Sequence, residues 1–260
     1  MAVSLGADVL FRYRQFSLYN SPYTAHDRGC AVDLYPAGDH APSPVAGEVL
    51  DVRRVKAPPK PYAADHDYLL LVDTGAHVAR LLHVDPAVEP GETVTVGDPL
   101  GDLVRAGFFA PWVSNHVHLG FRRHDANLHR ASGSLPLSVD VDLCPLPWDG
   151  TGTVVESGET WARLDAPAHP APGEAFVGLE SRGAVLDGGF PHYSRGGVLD
   201  SSGREGSHGD GCDSSGEADK GSKHVSEETR PVELAGTQVG TATGRTVTWD
   251  DCTVRANGQP

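Results

Sequence analysis

Apolar residues along this chain come in short, β-branched runs separated by clusters of Gly, Pro and Asp. No long stretch carries the three-to-four-residue apolar period of an amphipathic helix, so the pattern reads as strands joined by turns. Strands are expected at Gly47–Val52, Tyr68–Val72, Ala79–Leu82, Thr93–Val96 and Val117–Phe121, with a further short apolar run at Ala31–Tyr35. Pro42 and Pro44 precede the Val45-Ala46-Gly47 entry into a strand, which suits a sheet edge or corner. Glu89-Pro90-Gly91-Glu92 and Val96-Gly97-Asp98-Pro99 read as turns.

Beyond about Leu135 the pattern stays β but changes in texture. Gly152–Glu156, Thr160–Leu164, Ala175–Leu179 and Gly183–Leu186 read as strands, as do Val232–Gly240 and Arg245–Val254. Between them, 201–228 consists of Ser, Gly, Asp, Glu and Lys with almost nothing apolar. Burial cannot offset the entropy of ordering such a stretch, so it reads as a flexible insertion. The layout expected is all-β: one domain over 1–135 and a smaller β-rich domain over 136–260. The fragment Asp187-Gly188-Gly189-Phe190-Pro191-His192-Tyr193 reads as a β-turn or as a recognition loop of that second domain.

Charge narrows the function. Lys and Arg total 21 against 35 Asp and Glu, a net charge of −14. Such a field repels the phosphates of nucleic acids and anionic lipid headgroups, so neither is an expected partner. The acid is mostly Asp and the cations mostly Arg, a balance that resembles proteins of extreme halophiles. The N-terminus lacks a charged segment followed by an apolar one, and no run reaches the roughly 18 apolar residues that span a bilayer. A cytoplasmic location is the expectation. The cysteines, Cys30, Cys144, Cys212 and Cys252, form no CxxC pair, which excludes a zinc ribbon and a thioredoxin motif.

Three segments carry candidate chemistry. In Asn115-His116-Val117-His118-Leu119-Gly120-Phe121, alternate side chains of a strand share a face. His116 and His118 then project together while Leu119 and Phe121 enter a core. Such a pair also arises by chance in a chain with 13 histidines. In Leu81-Leu82-His83-Val84, a histidine closes an apolar strand. In His26-Asp27-Arg28-Gly29-Cys30-Ala31-Val32-Asp33-Leu34-Tyr35, a carboxylate sits inside an apolar run. A buried charge needs a partner: a metal, an arginine or backbone N–H groups.

In this order the segments resemble the LytM/lysostaphin-type zinc endopeptidases. The resemblance covers roughly residues 24–123. It rests on the His26–Asp33 segment, Ala41-Pro42-Ser43-Pro44-Val45-Ala46-Gly47-Glu48-Val49, Leu82-His83-Val84, the Gly-punctuated run Val88–Leu103, and His116-Val117-His118. It implies a barrel-sandwich-hybrid-like peptidase domain, a zinc cofactor and hydrolysis of peptide bonds by a zinc-activated water. It further implies His118 and Asp33 as zinc ligands, with His83 and His116 as catalytic histidines beside the metal.

Two departures stand out. The family's first histidine lies four residues before its aspartate, a slot held here by Gly29; His26 lies seven residues before Asp33. Either the intervening residues loop out and His26 is the third ligand, or Cys30 substitutes, or the third ligand is lost. The glutamate that follows the family's HxH is also absent; Gly120 and Arg122 occupy that region. The alternative function is therefore a catalytically inactive binding module on the same scaffold. A lipoyl- or biotinyl-type carrier would share the Gly turns. It would need a lysine at a hairpin tip, and the first half offers only Lys56 and Lys60, both in a proline-rich loop.

Overall fold

The computed structural model describes residues 2–158, 161–190, 192–200 and 228–251. The protein is all-β. Its helices among the described residues, Ala7–Leu10 and Thr24–Asp27, are single turns, and none is long and apolar enough to cross a membrane.

The N-terminal half is organised by a seven-stranded antiparallel sheet. Its order is Gln15–Ser17, Val32–Tyr35, Val117–Arg122, Val78–Leu82, His66–Asp73, Gly47–Lys56 and Thr93–Val94. The alternation read from the sequence decides its two faces. Val32, Leu34, Leu70, Leu81, Val117 and Leu119 are fully buried on one side. They share a core with Val45, Val84 and Leu100. Val84 and Leu100 belong to a second layer, in which Pro99–Leu103 pairs with His40–Pro42 and with Val84–Pro86. The opposite face of the sheet presents Asp33, His116, His118, Arg80 and Arg122.

Within this second layer the paired strands approach closely at Gly101, next to an irregularity in the Pro99–Leu103 pairing. There φ is +144°, and a methyl group would collide with the carbonyl oxygen of Asp85. The glycine is required both for the backbone conformation and for the space.

The C-terminal half forms its own seven-stranded sheet: Leu143–Leu146, Phe176–Ser181, Ala184–Gly188, Arg195–Leu199, Thr246–Trp249, Thr237–Thr243 and Thr229–Leu234. The single run expected over Val232–Gly240 is instead a hairpin. Ala235 and Gly236 both take positive φ (50° and 74°) in a two-residue turn between Leu234 and Thr237. Arg195–Leu199 was hidden by its glycines: Gly196 packs under the Trp249 indole and Gly197 under the Tyr19 ring, where a side chain would clash. Of the low-complexity stretch, 201–227 lies outside the described residues, as does 252–254 at the end of the last expected strand. The two halves share buried surface, since Val185 and Leu199 pack into the same core as Leu10 and Leu18.

Candidate metal centre

Register brings the site together. In the antiparallel sheet His118 lies directly opposite Asp33 on one side and Leu82 on the other. Cross-strand partners share a face, so both functional side chains point the same way at close range. His118 Nδ1 is 3.0 Å from Asp33 Oδ1.

His26 completes the group. It sits on the one-turn helix Thr24–Asp27, and the chain then turns through Gly29 (φ +62°) before entering Val32–Tyr35. This is how the longer His-to-Asp spacing is accommodated: the extra residues form the helical turn. His26 Nε2 lies 3.1 Å from His118 Nδ1 and 3.4 Å from Asp33 Oδ1. Cys30 is disulfide-bonded, so its sulfur is not a thiolate ligand.

These three separations can be tested against a metal. Bonds of about 2.0–2.1 Å to N and O in tetrahedral geometry place neighbouring ligand atoms roughly 3.3 Å apart. The distances of 3.0, 3.1 and 3.4 Å form a triangle of that size. His26, Asp33 and His118 are thus a group able to hold a metal ion.

Protonation agrees with geometry. A carbonyl oxygen only accepts, so His26 must carry its proton on Nδ1, which donates to Leu18 O at 2.7 Å. In the neutral ring Nε2 then carries the lone pair, the tautomer that could ligate a metal beside Asp33 and His118; in the cation Nε2–H donates to Asp33 instead. Burial holds the His118 pKa down at about 4, against the opposing hydrogen bond from Asp33. For His26 burial also disfavours the cation, but the charge and hydrogen bond of Asp33 outweigh it and leave the pKa above its ordinary value. Burial opposes ionisation of Asp33, yet the charges of His116 and His26 and the hydrogen bonds of His118 and His26 hold its pKa well below the usual range. An ionised carboxylate among imidazoles suits a divalent cation.

His83 and His116 stand beside this triangle. His116 Nδ1 donates to Ser114 O at 2.8 Å, leaving Nε2 with a lone pair 3.5 Å from Asp33 Oδ1. Its ring packs on Tyr35 and Phe109, and burial lowers its pKa to about 4. His83 breaks the sheet between Val78–Leu82 and Val84–Pro86 with φ +70°, a conformation costing a non-glycine residue about 1 kcal/mol or more. What holds it there is Asp67, fully buried. Its Oδ1 accepts the His83 and Tyr68 backbone N–H groups, and its Oδ2 accepts His83 Nδ1–H at 2.6 Å. Sequence reasoning missed Asp67. The signal was available, because it is a second carboxylate opening an apolar strand, like Asp33.

Loops around the site are pinned through their carbonyl groups. Arg105 donates to Ala110, Pro111 and Val113, fixing the segment that carries Phe109 and leads into His116. Arg122 donates to Asn127 and Arg130, and Arg80 to Leu128. The result is a cavity of about 360 Å³ over the triangle, with Tyr23, Phe108, Phe109 and Tyr193 in its walls. Among the described residues the remaining histidines stay apart. His124 bonds Asp73 at the surface, His40 bonds Asp102, and His192 stacks on Trp112.

The second domain reaches the site from behind. Asp187 accepts Ser17 Oγ–H and the Leu18 N–H, the latter at 2.7 Å. Leu18 in turn orients His26 through its carbonyl. The fragment singled out in the sequence thus supplies Asp187 behind the triangle and Tyr193 in front of it.

Residues 4–139 match the family model described as the N-terminal domain of a domain of unknown function (DUF8155), and residues 144–260 match the model of its C-terminal domain. No curated protein matches the chain. Among solved structures, the NMR solution structure of lysostaphin aligns at 17% identity and a TM-score of 0.30, over 45% of this chain and 46% of that one. This chain thus spans less than half the length of that relative.

Proposed function

We propose that this chain, which belongs to the DUF8155 family, is a zinc-dependent metallopeptidase whose metal is held by His26, Asp33 and His118. The observation that carries this reading is the triangle of ligand atoms, with separations that fit tetrahedral coordination and with His26 fixed in the ligating tautomer. Three ligands from the protein would leave such an ion open to water or substrate, as catalytic rather than structural zinc sites are. Once bound, zinc would polarise a peptide carbonyl and make a coordinated water acidic enough to attack at neutral pH.

The chain's own groups supply the rest. His116, neutral at pH 7, offers Nε2 as acceptor for the proton of the attacking water. His83 presents Nε2 from the other side, while the Asp67 carboxylate at Nδ1 stabilises the cation formed when that ring takes up a proton. A protonated His83 is then the donor to the oxyanion of the tetrahedral intermediate or to the departing amine. Tyr35, Phe109 and Phe108 exclude water from the two rings.

Peptide hydrolysis tests the reading. The zinc-loaded chain, assayed in both low and high salt, is expected to cleave a glycine-rich peptide, and a chelator is expected to stop it. Stoichiometric zinc without turnover of any peptide would instead support an inactive binding module.

The second domain's part is separately measurable. Asp187→Ala removes the acceptor behind Leu18 without touching a ligand. Partners outside the ligand shell are worth roughly 10–100-fold in metal affinity. Competition titration with a chromogenic chelator should show weakening in that range, and unchanged affinity would refute the support role.

A further inference from the structure

Arg80 lies on the site face of the sheet. Its cross-strand partner is Gly120, two pairs removed from Leu82 and His118, or about 7 Å along the strand. It lines the cavity and is 7% exposed. Among the described residues its one hydrogen bond is Nε–H to the Leu128 carbonyl. The charge acting on it is that of Arg122, a second cation, and no carboxylate pairs with it. Gly120 opposite brings no side chain.

A buried guanidinium is ordinarily neutralised, because desolvating an unpaired charge is costly. Here the four Nη hydrogens of Arg80 make no hydrogen bond among the described residues, on a side chain that lines the cavity, in a chain with 14 more acidic than basic side chains. Holding the Leu128 carbonyl needs only one donor. The planar fork that remains has the geometry of a carboxylate receptor.

We infer that Arg80 is an anion subsite that anchors a carboxylate of the substrate beside the metal centre. The inference rests on the proposed peptidase reading for its substrate class, acidic or carboxy-terminal peptides, but not for the anion site itself. The carboxylate comes from a free C-terminus or from an Asp or Glu side chain. The guanidinium stays charged at neutral pH, its pKa lowered by burial only to about 10.

The test is calorimetric binding to the full chain stripped of zinc, which keeps metal-to-carboxylate bonds out of the measurement. Three probes are compared: an N-acetylated glycine tripeptide with a free C-terminus, its C-terminal amide, and an amide with one glutamate. At least one carboxylate-bearing probe is expected to bind about tenfold or more tightly than the neutral amide, and which one identifies the source. Arg80→Met should abolish the difference, while Arg80→Lys should retain part of it. Equal or undetectable binding of all three to the wild-type chain overturns the inference, a result that needs no variant to fold. So does a preference that persists in a folded Arg80→Met. Failure of the peptidase reading shows itself elsewhere, as no hydrolysis by the zinc-loaded chain.

Discussion

Zinc added to the chelator-stripped chain is expected to bind at about one ion per molecule, and His118→Ala is expected to reduce that to near zero. His118 is the shared corner of the triangle. Its Nδ1 is 3.0 Å from Asp33 and 3.1 Å from His26, so its loss leaves two donors 3.4 Å apart with nothing to close the site. The cost must exceed the roughly 10–100-fold that partners outside the ligand shell are worth. Equilibrium dialysis with elemental analysis reads the stoichiometry directly. His124→Ala serves as control, since that residue bonds Asp73 at the surface and should leave zinc unchanged. Zinc binding to the folded chain alone must also raise the melting temperature, and the rise should vanish in His118→Ala. Full zinc occupancy in His118→Ala would refute the ligand set. Absence of zinc from the wild type would refute the metalloenzyme reading as a whole.

Much of this arrangement was legible because strand periodicity is rigid. Once Val117 and Leu119 are assigned to a core, His116 and His118 must face the other way. The apolar neighbours of Asp33 likewise place it on a buried strand. His26 was harder. Its place in the triangle depends on a one-turn helix with no side-chain cap, a feature that three or four residues of sequence cannot announce. The fate of its competitor was equally hidden: no local motif marks Cys30 as disulfide-bonded rather than a free thiol. The carbonyls that fix the imidazoles, Leu18 O and Ser114 O, leave no trace in side-chain pattern at all. In the second domain the glycines of Arg195–Leu199 concealed a strand. Their role is to admit Tyr19 and Trp249 rather than to make a turn.

Asp67→Asn and His83→Ala are expected to leave zinc bound and to lower kcat by about 10²–10⁴, the range that a positioned acid or base contributes. The separation of binding from turnover follows from geometry. His83 stands outside the ligand triangle, its ring centroid 5.9 Å from that of His118 and 4.9 Å from that of His116, so removing it opens none of the three ligand contacts. Asp67 acts through His83. It fixes the ring by two bonds, at 2.9 Å to the backbone N–H and 2.6 Å to Nδ1–H, and holds the +70° φ that aims Nε2 at the cavity. An amide at position 67 can accept one of these bonds but cannot stabilise the imidazolium. Asp67→Asn should therefore depress kcat with KM little changed, whereas a mere packing defect would lower stability and affect both. The companion variant is His83→Gly, which adopts the positive φ without steric strain while deleting the ring. Loss of the Asp67 partner and of a buried ring should lower its melting temperature, and below that temperature it should bind zinc fully and still be inactive. If His83→Gly or Asp67→Asn hydrolyses peptide at the wild-type rate, His83 is a structural residue, and proton transfer must be assigned to His116 alone.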